Sequence, residues 1–249
     1  MAGKARLDEL LVERGLAESR SRAQALIRAG LVFSGERRLD KPGHSIDPGS
    51  PLTVRGRDHE WVSRGGVKLA HGLARFAIDP AGLVCLDVGA STGGFTDVLL
   101  RHGAARVYAV DVGRGQLDWG LRNDPRVVVL EGTNARYLTP EQVPEPPRLI
   151  VCDASFIGLR TVLPAALALA APGCLLVALI KPQFEAGRGR VGKGGVVRDP
   201  ALHEEICAGI RDWLEHAMGW SVLGLAESPI TGPKGNVEFL IAARKPGAM

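Results

Sequence analysis

Residues 82–95 read GLVCLDVGASTGGF: an apolar run from Leu83 to Val88, interrupted by one charge at Asp87, enters a glycine-rich turn, and a helical stretch opens at Phe95. A short aliphatic run bounded by turn residues is the pattern of a strand buried on both faces. Open α/β sheets bind their ligands at the carboxyl ends of such strands. Further runs follow in ARVYAVDVG (105–113), VVVLEGT (127–133), PRLIVCDAS (147–155) and GCLLVALIKP (173–182), each separated by longer helical stretches. That alternation predicts an α/β domain, a mostly parallel sheet with helices on both faces. The last two runs, WSVLGLAESPI (220–230) and NVEFLIAAR (236–244), leave no room for a helix between them, so they are expected to form an antiparallel hairpin.

The N-terminal part reads differently. In RLDELLVERGLAESRSRAQALIRAGLV (6–32), Leu7, Leu10 and Leu11 and then Ala23, Leu26 and Ile27 recur at helical spacing, with Gly15 and Gly30 where helices would end. Two short helices are expected, the second capped by Ser19 and carrying Arg20, Arg22 and Arg28 as a basic face. The stretch LVFSGERRLDKPGHSIDPGSPLTV (31–54) breaks into short β-like runs at SG, KPG and DPG, which are turn chemistries. A small α+β module is therefore expected over 1–57, a linker over 58–64 and the α/β domain over 65–249. No apolar run reaches the roughly 18 residues of a membrane span, and MAGKARLDELLVERG lacks an apolar signal core, so a cytoplasmic protein with no membrane partner is expected. Cys85, Cys152, Cys174 and Cys207 lie far apart with no CxxC spacing, which predicts buried free thiols and no metal site. A net charge of +4 and a pI near 9.0 are compatible with a nucleic-acid partner without requiring one.

The glycines of Gly89-Ala90-Ser91-Thr-Gly93-Gly94 are spaced G-x-x-x-G-G, unlike the G-x-G-x-x-G that cradles a pyrophosphate. Small residues here permit close backbone approach to a ligand that needs no phosphate neutralisation, as S-adenosylmethionine does. Asp111 ends the second strand, where a carboxylate accepts hydrogen bonds from two ribose hydroxyls. Asn134, in GTNAR, is placed to read an adenine edge, although a turn asparagine would look the same. An antiparallel last strand ends the Rossmann-like sheet of Class I methyltransferases and is not expected in an NAD-dependent oxidoreductase. Four charged residues complete the pattern: Lys68 before the first strand, Asp153 and Lys181 at strand ends, and Glu238 in the final hairpin. Singly, each reads as a surface charge or structural ion pair. Together, Asp153 and Lys181 are expected at the same sheet edge as the glycine loop. A ribose 2′-hydroxyl is a very weak acid, so its methylation needs a general base, a task a lysine amine performs when burial and nearby positive charge favour its neutral form.

The set Lys68, Asp153, Lys181 and Glu238 resembles the Lys-Asp-Lys-Glu tetrad of FtsJ-like 2′-O-methyltransferases, and 6–32 with KPG resembles an S4 RNA-binding domain. With SRGGVKL, DVGASTGGFTD, AVDVGRGQLDW, DASFI, IKPQFEAG and VGKGGVVRDP, nearly the whole chain resembles the TlyA (haemolysin A-like) family. The resemblance implies an S4-like module before a Class I methyltransferase domain that uses S-adenosyl-L-methionine on a cytidine 2′-hydroxyl in 16S or 23S rRNA or ribosomal subunits, with no obligate protein partner. It implies Lys181 as base, supported by Asp153, with Lys68 and Glu238 completing the site. The cofactor set is then Asp87, Gly89, Ala90, Ser91, Gly93, Gly94, Phe95, Asp111 and Asn134. RNA phosphates are expected on Arg6, Arg20, Arg22, Arg28, Arg37, Arg38 and Arg64, and on Arg188, Arg190 and Lys193 of the glycine-rich loop after Lys181. Nothing in the sequence supports a membrane-damaging role. A noncatalytic RNA-binding protein on the same fold is the alternative, against which the complete tetrad stands.

Overall fold

The computed structural model describes residues 4–17, 19–55, 59–187, 189–192 and 194–247, which form two compact units parting between Glu60 and Trp61. In the smaller unit, β1 (Ala5–Arg6) leads into α1 (Leu7–Glu13), and α2 (Arg20–Arg28) follows a turn through Gly15, whose φ is 67°. The Ser19 hydroxyl accepts the Arg22 backbone N–H at 3.2 Å, the cap expected for α2. Strands β2 (Val32–Ser34), β3 (Arg37–Arg38), β4 (Ser45–Ile46) and β5 (Thr53–Val54) are short: β2 pairs with β3 and β5, and β4 pairs with β1. The helical apolar stripe, Leu7, Leu10, Leu11, Ala23 and Ile27, packs with Val32, Leu39 and Leu52 into a core of its own. Each fully buried aliphatic side chain there contributes roughly 1.5–3 kcal/mol.

The larger unit opens with α3 (Gly65–Arg75), followed by β6 (Val84–Val88), α4 (Gly94–Arg101), β7 (Arg106–Asp111), α5 (Trp119–Arg122) and β8 (Val127–Glu131). Then come β9 (Leu149–Cys152), α6 (Leu159–Val162), α7 (Pro164–Leu169), β10 (Leu175–Ile180), α8 (Pro182–Glu185), α9 (Pro200–Asp212), β11 (Ser221–Glu227) and β12 (Phe239–Arg244). The seven strands order as β11-β12-β10-β9-β6-β7-β8, parallel except for β12, which lies antiparallel between β10 and β11. The expected terminal hairpin is present. Its last strand also inserts beside β10, a pairing that no local pattern announces.

Two cores cover the sheet. On one face Leu69 and Leu73 of α3, Val98 and Leu99 of α4 and Leu121 of α5 pack on Cys85, Val107, Leu149 and Val177. On the other, residues of α6, α7 and α9 cover Leu86, Tyr108, Ile150 and Leu176. Trp61 and the residues after it belong to this unit: Trp61 is buried against His102, and the Val62 N–H donates to Asp97 at 2.8 Å. Gly72 lets α3 lie close to the sheet, since a Cβ there would meet Val177 at 3.2 Å and Leu240 at 3.4 Å. That approach sets α3, with Lys68, over β10 and β12.

Candidate active site

Strand pairing assembles the site at one edge of the sheet. Val88 of β6 is registered with Cys152 of β9, so Gly89 and Asp153 emerge side by side. Ile180 of β10 is registered with Phe239 of β12, so Lys181 emerges beside Glu238. Because β12 runs backwards, its first residues reach the edge where the parallel strands end. Three neighbouring strands therefore deliver Asp153, Lys181 and Glu238 together, and α3 contributes Lys68 from above.

The four residues form two ion pairs. Lys68 Nζ donates to Glu238 Oε2 at 2.5 Å, with side chains 9% and 0% exposed. The other Glu238 oxygen has no hydrogen-bond partner among the described residues. Lys181 Nζ lies 2.6 Å from Asp153 Oδ1 in ion-pair contact, and donates to the Asp153 carbonyl at 3.2 Å and to Ser155 Oγ at 2.8 Å. Breaking a buried pair by removing one partner is costly because the survivor is left as an unpaired charge. Two such pairs at the carboxyl edge of an open α/β sheet, where ligands bind in folds of this class, can move protons and steady charge.

Beside it a cavity of about 360 Å³ opens at the carboxyl ends of β6, β7 and β9. Of the residues expected to hold cofactor, Gly89, Ser91, Asp111 and Asn134 line it. Gly89 has φ of 86°, and a Cβ there would meet the backbone of Ala154 at 3.0 Å, so both the turn and the close approach require glycine. Asp111 accepts the N–H groups of Ser91 and Gly113 at 2.8 and 2.7 Å, tying the end of β7 to the loop. Asn134 accepts the Arg136 N–H at 3.1 Å, a turn bond that still leaves its amide N–H groups to donate. Ala90 and Phe95 are instead buried in the core, and Gly93 and Gly94 pack against Leu121 and Ser63, so these four shape the loop from beneath. Asp87 is also beneath it, accepting from the Thr96 hydroxyl at 2.7 Å while its other oxygen has no partner among the described residues. Burial first, and then the charges of Asp153 and Asp111, push its carboxyl up to about 7.

The sequence reading missed Val112, Gln116, Thr133, Ser155 and Phe156 on the cavity wall. Phe156 is 91% exposed, has φ of 67° and packs on Phe184 with ring centroids 5.2 Å apart. An exposed aromatic in a left-handed backbone beside Asp153 is the signal that was available only in three dimensions. All four cysteines are buried, and burial pushes the thiols of Cys85, Cys152 and Cys174 up to about 12.

The arginines expected to meet RNA fall into groups. Arg6 and Arg20 both donate to buried Asp8, at 3.0 Å each through Nε. Arg28 bonds Gln24 at 3.4 Å, and Arg22 lies half-buried on the same helix. Arg37, Arg38 and Arg64 are exposed. Arg190 makes a two-pronged contact with Glu205 at 2.5 and 2.6 Å. Arg188 and Lys193 lie outside the described residues.

Comparison with known proteins adds the family. Residues 61–245 match the FtsJ-like methyltransferase model and residues 5–52 the S4 domain. The chain is 51% identical over 98% of its length, and 91% of the relative's, to the 16S/23S rRNA (cytidine-2′-O)-methyltransferase TlyA of Mycobacterium tuberculosis, and 43% identical over 94% of its length, and 98% of the relative's, to Hemolysin A of Brachyspira hyodysenteriae. A solved hemolysin-named structure from Streptococcus thermophilus shares 44% identity with a TM-score of 0.77, covering 99% of this chain and 90% of that one. The N-methyltransferase NodS of Bradyrhizobium japonicum, at 17% identity and a TM-score of 0.50 over 74% of this chain and 98% of its own, shares the fold. Fold and site thus define an α/β methyltransferase preceded by an S4 domain. The chain belongs to the FtsJ-like methyltransferases and, within them, to the S4-bearing TlyA, or haemolysin A-like, family. Among the described residues no helix is long and apolar enough to cross a membrane.

Proposed function

We propose that this enzyme methylates a ribose 2′-hydroxyl of ribosomal RNA, a cytidine of 16S and/or 23S rRNA, using S-adenosyl-L-methionine. The observation that carries this reading is the meeting of the Lys181–Asp153 and Lys68–Glu238 pairs at the strand edge that also bounds the cavity. The cavity fits the cofactor: Gly89 permits close backbone approach, Asp111 offers a carboxylate for the ribose hydroxyls, and Asn134 offers amide donors to an adenine edge. Asp87, Ala90, Gly93, Gly94 and Phe95 hold the loop that forms its floor. When bound, the cofactor supplies an electrophilic methyl group on a sulfonium, so the substrate oxygen needs positioning and deprotonation.

Lys181 takes the proton of the 2′-hydroxyl. Asp153 fixes the amine through its carboxylate and carbonyl. Lys68 and Glu238 keep the neighbouring wall polar and nearly neutral, so the site does not accumulate positive charge against a cationic cofactor. The domains divide the work: the S4-like module docks on structured rRNA, and the catalytic domain, which takes in Trp61–Arg64 of the expected 58–64 linker, acts. Arg37, Arg38 and Arg64 offer exposed guanidinium groups for phosphates. Arg6, Arg20, Arg22, Arg28, Arg188, Arg190 and Lys193 complete the proposed RNA contacts, Arg190 by exchanging Glu205 for phosphate. A ribosomal substrate implies action in the cytoplasm.

The test is transfer of labelled methyl from S-adenosylmethionine to undermethylated 30S and 50S subunits. Label at an alkali-resistant linkage, absent with Lys181→Ala, is the expected result. No label on either subunit despite cofactor binding overturns the substrate assignment.

A further inference from the structure

Ser155 is the one hydroxyl in contact with the Lys181 amine among the described residues. Lys181 Nζ is surrounded by three oxygens, Asp153 Oδ1 at 2.6 Å, the Asp153 carbonyl at 3.2 Å and Ser155 Oγ at 2.8 Å. A base receives its proton where its lone pair points. A carboxylate and a carbonyl only accept hydrogen bonds, so both face N–H groups of the amine and neither brings it a proton. A hydroxyl donates as readily as it accepts. Of the three neighbours, Ser155 is therefore the one that can meet both the ammonium and the neutral amine, by reversing its hydrogen bond.

Position points the same way. Ser155 is exposed and lines the cavity, whereas the Lys181 side chain is 8% exposed. A substrate hydroxyl at the cavity wall therefore meets, in Ser155 Oγ, an exposed group already in hydrogen-bond contact with the buried amine. The segment that carries Ser155 is held at both ends. Ala154 abuts Gly89, and the Leu159 N–H donates to Glu185 Oε1 at 2.7 Å, which ties the segment to α8 directly after Lys181.

We propose that Ser155 relays the proton between the ribose 2′-hydroxyl and Lys181. This rests on the 2′-O-methylation reading. As the O2′–methyl bond forms and the sulfur–methyl bond breaks, the O2′–H proton passes to Ser155 Oγ and the serine's own proton passes to Nζ. The products are the methylated ribose, the demethylated cofactor, an intact serine and a lysine ammonium, which returns its proton to solvent water before the next turnover. Ser155 thereby acts on the substrate oxygen and positions the amine.

Single-turnover methyl transfer to undermethylated subunits tests the relay, using Ser155→Ala and Ser155→Gly, which remove the hydroxyl, and Ser155→Thr, which keeps it. Both hydroxyl-free variants are expected to lose about 10²-fold in rate at saturating S-adenosylmethionine, within the range a proton-transfer group contributes. Ser155→Thr retains most of the rate. In mixtures of light and heavy water, the wild-type rate curves with deuterium fraction because two protons move together, while the hydroxyl-free variants give a straight line. Wild-type rates in Ser155→Ala and Ser155→Gly overturn the relay, as the substrate then meets Lys181 directly. A slow variant with the wild-type curvature also overturns it, assigning Ser155 a structural role. Failure of the wild type to label any rRNA instead overturns the substrate reading on which the relay stands.

Discussion

Asp8 in the smaller unit and Asp87 in the larger are both fully buried, and their surroundings are opposite. Asp8 accepts from Arg6 at 3.0 and 3.1 Å, from Arg20 at 3.0 Å and from Gln24 at 2.8 Å. Those bonds, Arg6 foremost, hold its carboxyl well below the ordinary value of 3.8. Asp87 has one side-chain donor, Thr96, an oxygen without a partner among the described residues, and a carboxyl pushed up to about 7. The Lys68–Glu238 pair near Asp87's edge of the sheet likewise keeps one carboxylate oxygen unpaired among the described residues. In the S4 unit buried charge is saturated and stabilises the fold. At the edge that carries the proposed active site it is undersaturated, and the unsatisfied groups cost stability there.

The contrast yields four measurements, in decreasing order of effect. Lys181→Ala lowers methyl transfer by about 10²–10⁴-fold, the range for loss of a general base, while cofactor binding stays near wild type and the chain still folds, at a lower urea midpoint because Asp153 loses its partner. A collapse of stability instead would place Lys181 among structural charges. Lys68→Met strands Glu238 and costs about 3–5 kcal/mol, whereas Lys68→Met with Glu238→Leu recovers most of that loss. Urea unfolding by tryptophan fluorescence reads this cleanly, since Trp61, Trp119, Trp213 and Trp220 all lie in the larger unit.

The two aspartates predict opposite pH slopes. Asp87 binds its proton more tightly folded than unfolded, so its contribution is intact below about pH 4 and is lost as pH rises toward about 7. Between pH 5 and 8 the larger unit of wild type should therefore lose up to about 3 kcal/mol relative to Asp87→Asn, since each tenfold difference in proton affinity between the folded and unfolded chain is worth about 1.36 kcal/mol. Parallel stability curves for the two proteins would show that Asp87 is ionised throughout. Asp8 binds its proton less tightly folded, so its stabilisation is complete above the ordinary carboxylate value and declines as pH falls through and below it. Asp8→Asn should cost the smaller unit about 1–2 kcal/mol at neutral pH, reduced by the exposure of Arg6 and Arg20, with no change in cofactor affinity. Circular dichroism of the full chain at 222 nm follows that transition.

Strand runs, the glycine turn and the final hairpin were legible because each is written in local periodicity and turn chemistry, and Ser19 as a cap was legible for the same reason. Asp153 and Lys181 were legible as charges at strand ends, which share an edge in such sheets, whereas Lys68 was read only as preceding the first strand and Glu238 only as part of the final hairpin. Their pairing was not legible: Lys68 and Glu238 are 170 positions apart, and only the insertion of β12 beside β10 brings them to 2.5 Å. Arg6 and Arg20 read as free basic residues because Asp8, between them in sequence, gave no sign of being buried under both. Nothing local in the sequence singled out Ser155, whose hydroxyl meets Lys181 only through the backbone after β9.

By itself the sequence determined where the strands, the glycine turn and the terminal hairpin lie, because hydrophobic period and glycine placement act over a few residues. Tertiary structure decided which charges are neutralised, which carboxylate oxygens stay unpaired and which hydroxyl meets the buried amine. Those outcomes depend on distances of a few ångströms between segments far apart in the chain, set by strand register and helix packing rather than by any local preference.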